Sequence, residues 1–211
     1  MIGKEIHTPP CSIVGWGGCE IGGKMKSVLI SIQPKWCELI ASGKKTVEVR
    51  KTKPKLETPF KAYIYCTNTK PFLVWGDVFR GSWETEFTHL SGYNRKEAEK
   101  IWDVFNGKVI GEFVCDCIVS HCEMANADIA EQQGCIKREK LFEYASGKEL
   151  YGWHISDLVI YDNPKELSEF KKHNRICYYD HLGIATPKCK DCKQCQIERP
   201  PQSWCYVEDL Q

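Results

Sequence analysis

The chain of 211 residues has no apolar run near the roughly 20 residues that a membrane-spanning helix needs, so no membrane partner is expected. The start, Met1-Ile2-Gly3-Lys4-Glu5, does not open onto an apolar leader, so a cytoplasmic location is expected. Neither sign of charge dominates: 29 Lys and Arg against 28 Asp and Glu leave a net +1. Whole-molecule attraction to nucleic acid is therefore weak, and a polyanion must be held by a local basic patch. No segment repeats at a fixed period. Cysteine is not scarce: there are 13, an odd number. In a reducing compartment they do not read as a disulfide framework, and most are small buried hydrophobes. With 42% hydrophobic residues and seven Trp, the chain has enough apolar surface for a sizeable core.

Residues 1–24 read as an irregular arm, with Thr8-Pro9-Pro10 and several glycines around Trp16. Met25-Lys26-Ser27 reads as a domain start. Residues 25–170 are expected to form the main domain. Residues 171–211 are expected to form a Cys-rich loop and a final strand, Ser203 to Val207, packing back on it. Within the main domain, Ser27–Ile32 alternates as a strand, and Pro34 suits the first turn of a helix carrying Trp36, Leu39 and Ile40 inward. Phe60–Cys66 alternates, with Ala62, Ile64 and Cys66 on one side and Tyr63 and Tyr65 on the other. Phe72–Phe79 is a further apolar run. Asn94–Phe105 reads as a helix with a capping box at Asn94 and Glu97 and a stripe of Ala98, Ile101, Trp102 and Phe105. Lys108–Ser120 reads as one long strand, with Val109, Phe113, Cys115, Cys117 and Val119 on one face. Lys137–Ser146 reads as a helix, Glu149–Tyr161 as a strand, and Asn163-Pro164-Lys165-Glu166 as a short helix start. Many strands with short helices between them predict a mixed α+β barrel, not a doubly wound sheet.

The pattern is organised around Ser42-Gly43-Lys44-Lys45-Thr46-Val47-Glu48-Val49-Arg50. A helix ends at the glycine and a strand begins at once. Period-two geometry sends Val47 and Val49 to the core and Thr46, Glu48 and Arg50 to the opposite face. Lys45 is in phase with the valines, so it is expected at the strand mouth with its amine free to swing. Arg50 offers a fork for phosphate or carboxylate, and Lys45 a point charge. Glu48 can order Arg50, accept from a base amine or carry a proton. Lys51-Thr52-Lys53-Pro54-Lys55 follows as a basic loop that can extend the patch. Read by spacing alone, all of this is also what a solvated surface face looks like.

The block Ser31-Ile32-Gln33-Pro34-Lys35-Trp36 … Leu39-Ile40-Ala41-Ser42-Gly43-Lys44-Lys45-Thr46-Val47-Glu48-Val49-Arg50 resembles the signature of the ASCH domain family, within the PUA-like superfamily. Its Gly-x-Lys-x-x-Glu-x-Arg motif is matched by Gly43, Lys45, Glu48 and Arg50. Tyr151-Gly152-Trp153-His154-Ile155-Ser156-Asp157 and Arg199-Pro200-Pro201-Gln202-Ser203-Trp204 also resemble members with a C-terminal extension. The resemblance implies a PUA-like mixed β-barrel with peripheral helices. It also implies a cleft, lined by the motif, that takes RNA or a modified nucleoside or nucleotide. Lys44, Lys45, Thr46, Glu48 and Arg50 are then the binding residues. A bacterial branch of the family hydrolyses the amide of N4-acetylcytidine with a Lys matching Lys45, a Thr nucleophile two residues before the Arg, and a distant Glu. Here Glu48 stands where that branch has Thr. An amidohydrolase or ribonuclease using Lys45 and Glu48 is the enzymatic alternative, with His154 joining them as acid or base in the ribonuclease reading. A protein-interaction module with a vestigial cleft is another.

Trp36, Tyr65, Trp75, Trp83, Trp153 and Trp204 are plentiful, and Trp153 or Trp204 is expected to stack on a base. Cys189-Lys-Asp-Cys192-Lys-Gln-Cys195 holds two overlapping C-x2-C units. One structural zinc is expected on Cys189, Cys192 and Cys195 with a fourth ligand from Cys177, His181 or Cys205, Cys177 first. An iron–sulfur cluster and free thiols in a mobile loop are the alternatives.

Overall fold

The computed structural model describes residues 26–76, 86–90, 92–100, 103–120, 128–173 and 195–210. A five-stranded sheet forms the centre. Its strands are β1 (Lys26–Ile32), β3 (Phe60–Cys66), β7 (Val109–Cys115), β10 (Ser156–Lys165) and β11 (Trp204–Glu208), in the order β10-β7-β3-β1-β11. β1 and β3 are parallel; the other pairs are antiparallel. Between β1 and β3 the chain forms helix α1 (Pro34–Ala41) and strand β2 (Val47–Arg50). β2 pairs with β9 (Tyr151–His154), which pairs with β8 (Ile118–Val119). A third sheet holds β4 (Phe72–Gly76), β5 (Glu86–Leu90) and β6 (Asp103–Val104). The helices α2 (Arg95–Ala98) and α3 (Arg138–Ala145) are short, and a π-helical turn spans Asp128–Gln133. No described helix is long and apolar enough to cross a membrane.

The α+β class holds, but the expected barrel is not a closed ring: the described strands form three separate sheets. The reason lies at two breaks. The run 108–120 stops at Asp116-Cys117, and the run 149–161 stops at Ile155. After each break the chain belongs to a different sheet, so the corner is turned by bent strands and not by continuous pairing. The backbone groups at the corner are still satisfied, with His154 N donating to Cys117 O (2.9 Å) and Ile155 N to Thr46 O (2.8 Å).

Both faces of the central sheet are buried, and alternation sorts the side chains. Val28, Ile30, Ala62, Ile64, Cys66 and Phe113 join the main core beneath α1. Leu29, Tyr63, Tyr65 and Val207 face the other way, where Phe170 and Ile197 cover them. Val109 belongs to this second cluster, not to the face of Phe113, because a register shift falls between the pairs Ile64–Gly111 and Tyr65–Val109. Gly111 is demanded here: a Cβ would lie 2.3 Å from Val159 O on β10.

The predicted helix 94–105 is the largest correction. The capping box forms as expected, Glu97 N donating to Asn94 Oδ1 and Asn94 N to Glu97 Oε2, both at 3.0 Å. The helix nevertheless ends at Ala98, and Asp103–Val104 pairs with β4. Ala98 and Phe105 are buried as the stripe required, but sheet pairing overrode the helical period. Ile101 and Trp102 lie outside the described residues, as do residues 77–79 of the run from Phe72 and the arm 1–24. Asn163–Lys165 completes β10 instead of starting a helix; a 3-10 turn, Leu167–Glu169, follows.

Candidate functional site

The site begins where β1 ends and α1 starts. Pro34 begins the helix without a side-chain cap from Gln33, which leaves that amide exposed. At the other end, Gly43 takes φ +71, which turns the chain back into β2. Ser42 N donates to Glu38 O, Gly43 N to Ile40 O and Lys45 N to Leu39 O, each at 2.9 Å, so three of the last four carbonyls of the helix are used. β2 then presents Val47 and Val49 to a small core with Ala130, Leu141, Ala145 and Leu150. That agrees with the period-two expectation.

Glu48 and Arg50 face a cleft of about 400 Å³. Its floor is made by Lys45, Glu48 and Arg50; Ser31, Gln33 and Trp36 form one wall; Ile136, Lys140 and Tyr144 form the other. Thr67, Thr69 and Gln202 complete the polar rim. Buried Asn106 shapes the segment bearing the two threonines: its Nδ2 donates to Thr69 O (2.6 Å) and its Oδ1 accepts from Leu73 N (2.7 Å).

The floor is a buried charge chain. Arg50 Nη2 donates to Ser31 O at 2.6 Å and lies 3.1 Å from Glu48 Oε1. Glu48 Oε2 lies 3.4 Å from Lys45 Nζ. Lys45 Nζ also donates to Gly134 O (2.6 Å) and Val47 O (2.8 Å). An ammonium has three hydrogens, and all three have acceptors here. Lys45 is 1% exposed, so the expectation of a free-swinging amine is wrong. Burial lowers its pKa, while the Glu48 carboxylate opposes that fall. Lys45 thus ties β2 to Gly134, beyond the π-helical turn, and holds Glu48, which in turn orients Arg50. Two cations against one carboxylate leave the floor positive. The group that still reaches the cleft is the guanidinium of Arg50, 13% exposed at the side chain.

The other sequence candidates are placed elsewhere. Thr46 is half-buried with its N donating to Gln133 O (2.9 Å), and Lys44 is exposed; neither is on the cleft wall. Trp153 is wholly buried, edge-on to Phe60 at 5.7 Å and tilted against Trp204 at 6.0 Å, so its ring does not stand ready for a base. Trp204 is half-buried, with Nε1 donating to Thr52 Oγ1 at 3.0 Å, and is not on the wall either. The aromatic walls are Trp36, read from sequence as core, and Tyr144, for which the sequence carries no distinguishing signal. His154 pairs with Val47 across β2 and β9, which puts it on the face opposite Glu48. There its Nδ1 lies 2.7 Å from Asp116 Oδ1, so the structure does not bring His154, Lys45 and Glu48 together.

Trp83, Cys177, His181, Cys189 and Cys192 lie outside the described residues. Cys195 is buried, and burial pushes the half-buried Cys205 thiol up to about 11. Among the described residues, no three His, Cys, Asp or Glu are grouped to hold a metal.

Fold and floor together define a small α+β domain with a polar, aromatic-walled cleft. The family model of the ASCH domain matches residues 30–170, and the chain belongs to that family. Three solved structures are similar over most of their length. A crystal structure of ASCH from Zymomonas mobilis shares 16% identity, covers 87% of this chain and 88% of its own, and gives a TM-score of 0.49. A tyrosine-to-phenylalanine variant of that protein gives 16% identity, 87% and 91% coverage, and 0.48. A serine-to-alanine variant gives 18%, 87% and 89%, and 0.48. The chain has no match among curated proteins.

Proposed function

We propose that the cleft binds RNA or a modified nucleotide through its base. The observation that carries this reading is the guanidinium of Arg50, held by Glu48 and Ser31 O on the floor of a hollow walled by Trp36 and Tyr144. A planar cation fixed beside aromatic rings suits a ligand with a π-face and electron-rich oxygens. The volume falls in the range of small-ligand sites. Gln33 and Gln202 add exposed amides, each able to donate and accept along a base edge.

Binding is favoured over hydrolysis by the same geometry. The Lys45 amine is saturated, and Thr46 is not on the wall. Glu48 faces a cation on each oxygen, which suits an orienting group better than a general base.

The test is a screen of nucleosides, mononucleotides and short RNAs against wild type and Arg50→Ala. Wild type is expected to give saturable, salt-sensitive binding, and Arg50→Ala to lose at least tenfold. Turnover of N4-acetylcytidine or RNA that disappears in Lys45→Ala would replace this reading with the enzymatic one. No binding at micromolar protein would leave the interaction module.

A further inference from the structure

The basic loop after Arg50 is not used by the cleft, yet it is docked residue by residue on aromatic rings. Lys51 Nζ lies 4.8 Å from the ring centre of Tyr144, and Tyr144 is itself a cleft wall. Thr52 Oγ1 accepts from Trp204 Nε1. Lys53 Nζ lies 5.2 Å from the ring centre of Tyr151. Lys55 N donates to Tyr206 Oη at 2.7 Å, and Lys26 Nζ sits 3.7 Å over that same ring. Pro54 is buried between them, while Lys53 and Lys55 are exposed. No acidic residue falls between Arg50 and Lys55. Glu149 is an opposing charge beside this row, since the Tyr151 hydroxyl donates to it.

The direction of this row is set by β11. Ile30 pairs with Trp204 and Val28 with Tyr206, so the anchors step along β1 away from its cleft end at Ser31. Two residues of strand span about 7 Å. The row therefore leads out of the cleft past Tyr144, and its charges are spaced along it. Loops are ordinarily the mobile part of a surface. Fixing one on a series of aromatic rings, with the Lys51 and Lys53 amines set over Tyr144 and Tyr151 and with Lys53 and Lys55 exposed, builds a rail and not a tether. Neither Lys53 nor Lys55 lines the cleft itself.

We propose that the ligand is a single-stranded RNA segment: one base enters the cleft, and the phosphodiester backbone beside it runs over Lys51, Lys53 and Lys55 toward Lys26. This rests on the reading of the cleft as a base site. It also answers the problem set by the +1 net charge, because the polyanion is met by a local row of amines. No covalent step is involved.

The test uses the full chain, a fluorescein-labelled mixed-sequence 12-nucleotide RNA, and the four nucleoside monophosphates with N4-acetylcytidine. RNA is expected to bind at least tenfold tighter than the best mononucleoside ligand in 50 mM salt. Lys53→Ala/Lys55→Ala is expected to cut RNA affinity about tenfold and to lower the log–log salt slope by about 1.4, at roughly 0.7 for each phosphate no longer neutralised. Mononucleoside affinity is expected to stay within twofold. Lys53→Glu/Lys55→Glu should bind RNA more weakly still, and unchanged thermal unfolding will show that each variant is folded. RNA binding and a salt slope equal to wild type in both variants would overturn the rail and leave the cleft reading standing. Lysine-dependent RNA binding that ignores Arg50→Ala would keep the rail and overturn the cleft reading. No RNA binding by wild type overturns the rail outright.

Discussion

Two three-membered charge clusters among the described residues differ in burial and sign. At the cleft floor, one carboxylate, Glu48, is bracketed by Lys45 and Arg50, with side-chain exposures of 5%, 1% and 13%. Across β3 and β7, one amine, Lys61, is bracketed by Glu112 at 3.4 Å and Asp209 at 3.3 Å, with exposures of 30%, 25% and 17%. The second cluster is finished by hydroxyls: Tyr161 donates to Glu112 and Tyr63 to Asp209. It fastens the segment after β11 to the sheet, since Leu210 N also donates to Tyr63 Oη. Buried charges strongly constrain each other because water cannot replace a missing partner. Half-exposed ones are screened and replaceable. The floor is thus a constrained, positive cluster that faces the cleft, and the other cluster is a fastening.

The buried cluster depends most on Lys45. Lys45→Ala leaves Glu48 buried with one cation fewer and takes the amine donor away from Val47 O and Gly134 O. It is expected to cost about 3–5 kcal/mol, the usual loss when one partner of a buried pair is removed. Urea unfolding measures it, and a loss below about 1 kcal/mol, the range of an exposed pair, would mean that water reaches the floor.

Alkali tests burial more broadly. Burial holds the Cys115 thiol up to about 12 and Cys205 up to about 11, against an ordinary 9.0. Burial and bonding to carboxylates also push the Tyr63 and Tyr161 hydroxyls upward. Between about pH 9 and 12 the unfolded chain gives up these protons and the folded one keeps them. Stability present below the lower end of that window is therefore lost as pH rises through it. Lys45, shifted downward, opposes the trend, but it is one group against several. The urea midpoint should fall from about pH 8 to about pH 11; a flat or rising midpoint contradicts the burial described here.

Trp36→Ala sharpens the functional side. It is expected to weaken nucleotide binding by about 1–3 kcal/mol, the size of one base–aromatic stack. Trp204→Ala should leave binding unchanged within twofold, and titration calorimetry on both variants decides which ring is the wall. The smallest effect belongs to Lys61→Ala, at most about 1 kcal/mol and shrinking with added salt. A larger, salt-independent loss would show that the second cluster is as constrained as the first.

What could be read in advance follows the range of the forces involved. The helix stop at Gly43 and the valine face of β2 are local, fixed by a left-handed glycine and by strand period, and both appear as expected. The two faces of β3 were legible for the same reason. The run 94–105 was not, because the pairing of Val104 with Val74 joins distant segments and helical spacing does not encode it. The burial of Lys45 is not legible for the same reason: its acceptor Gly134 O lies 89 positions away in the chain, so nothing near the motif announces it. Trp36 reads as core on a helical wheel, yet the end of β1 leaves it at the edge of the core, where the cleft opens.

By itself, then, the sequence determined the α+β class, the hand-over from α1 to β2 and the three charged residues on which the site is built. Each of those depends on neighbours within a few positions. The tertiary structure alone decided which charge is spent inside and which faces the cleft, which aromatics form the wall, and where the sheets part. Those outcomes depend on segments that meet only when the backbone has closed, and alternation along one strand carries no information about them.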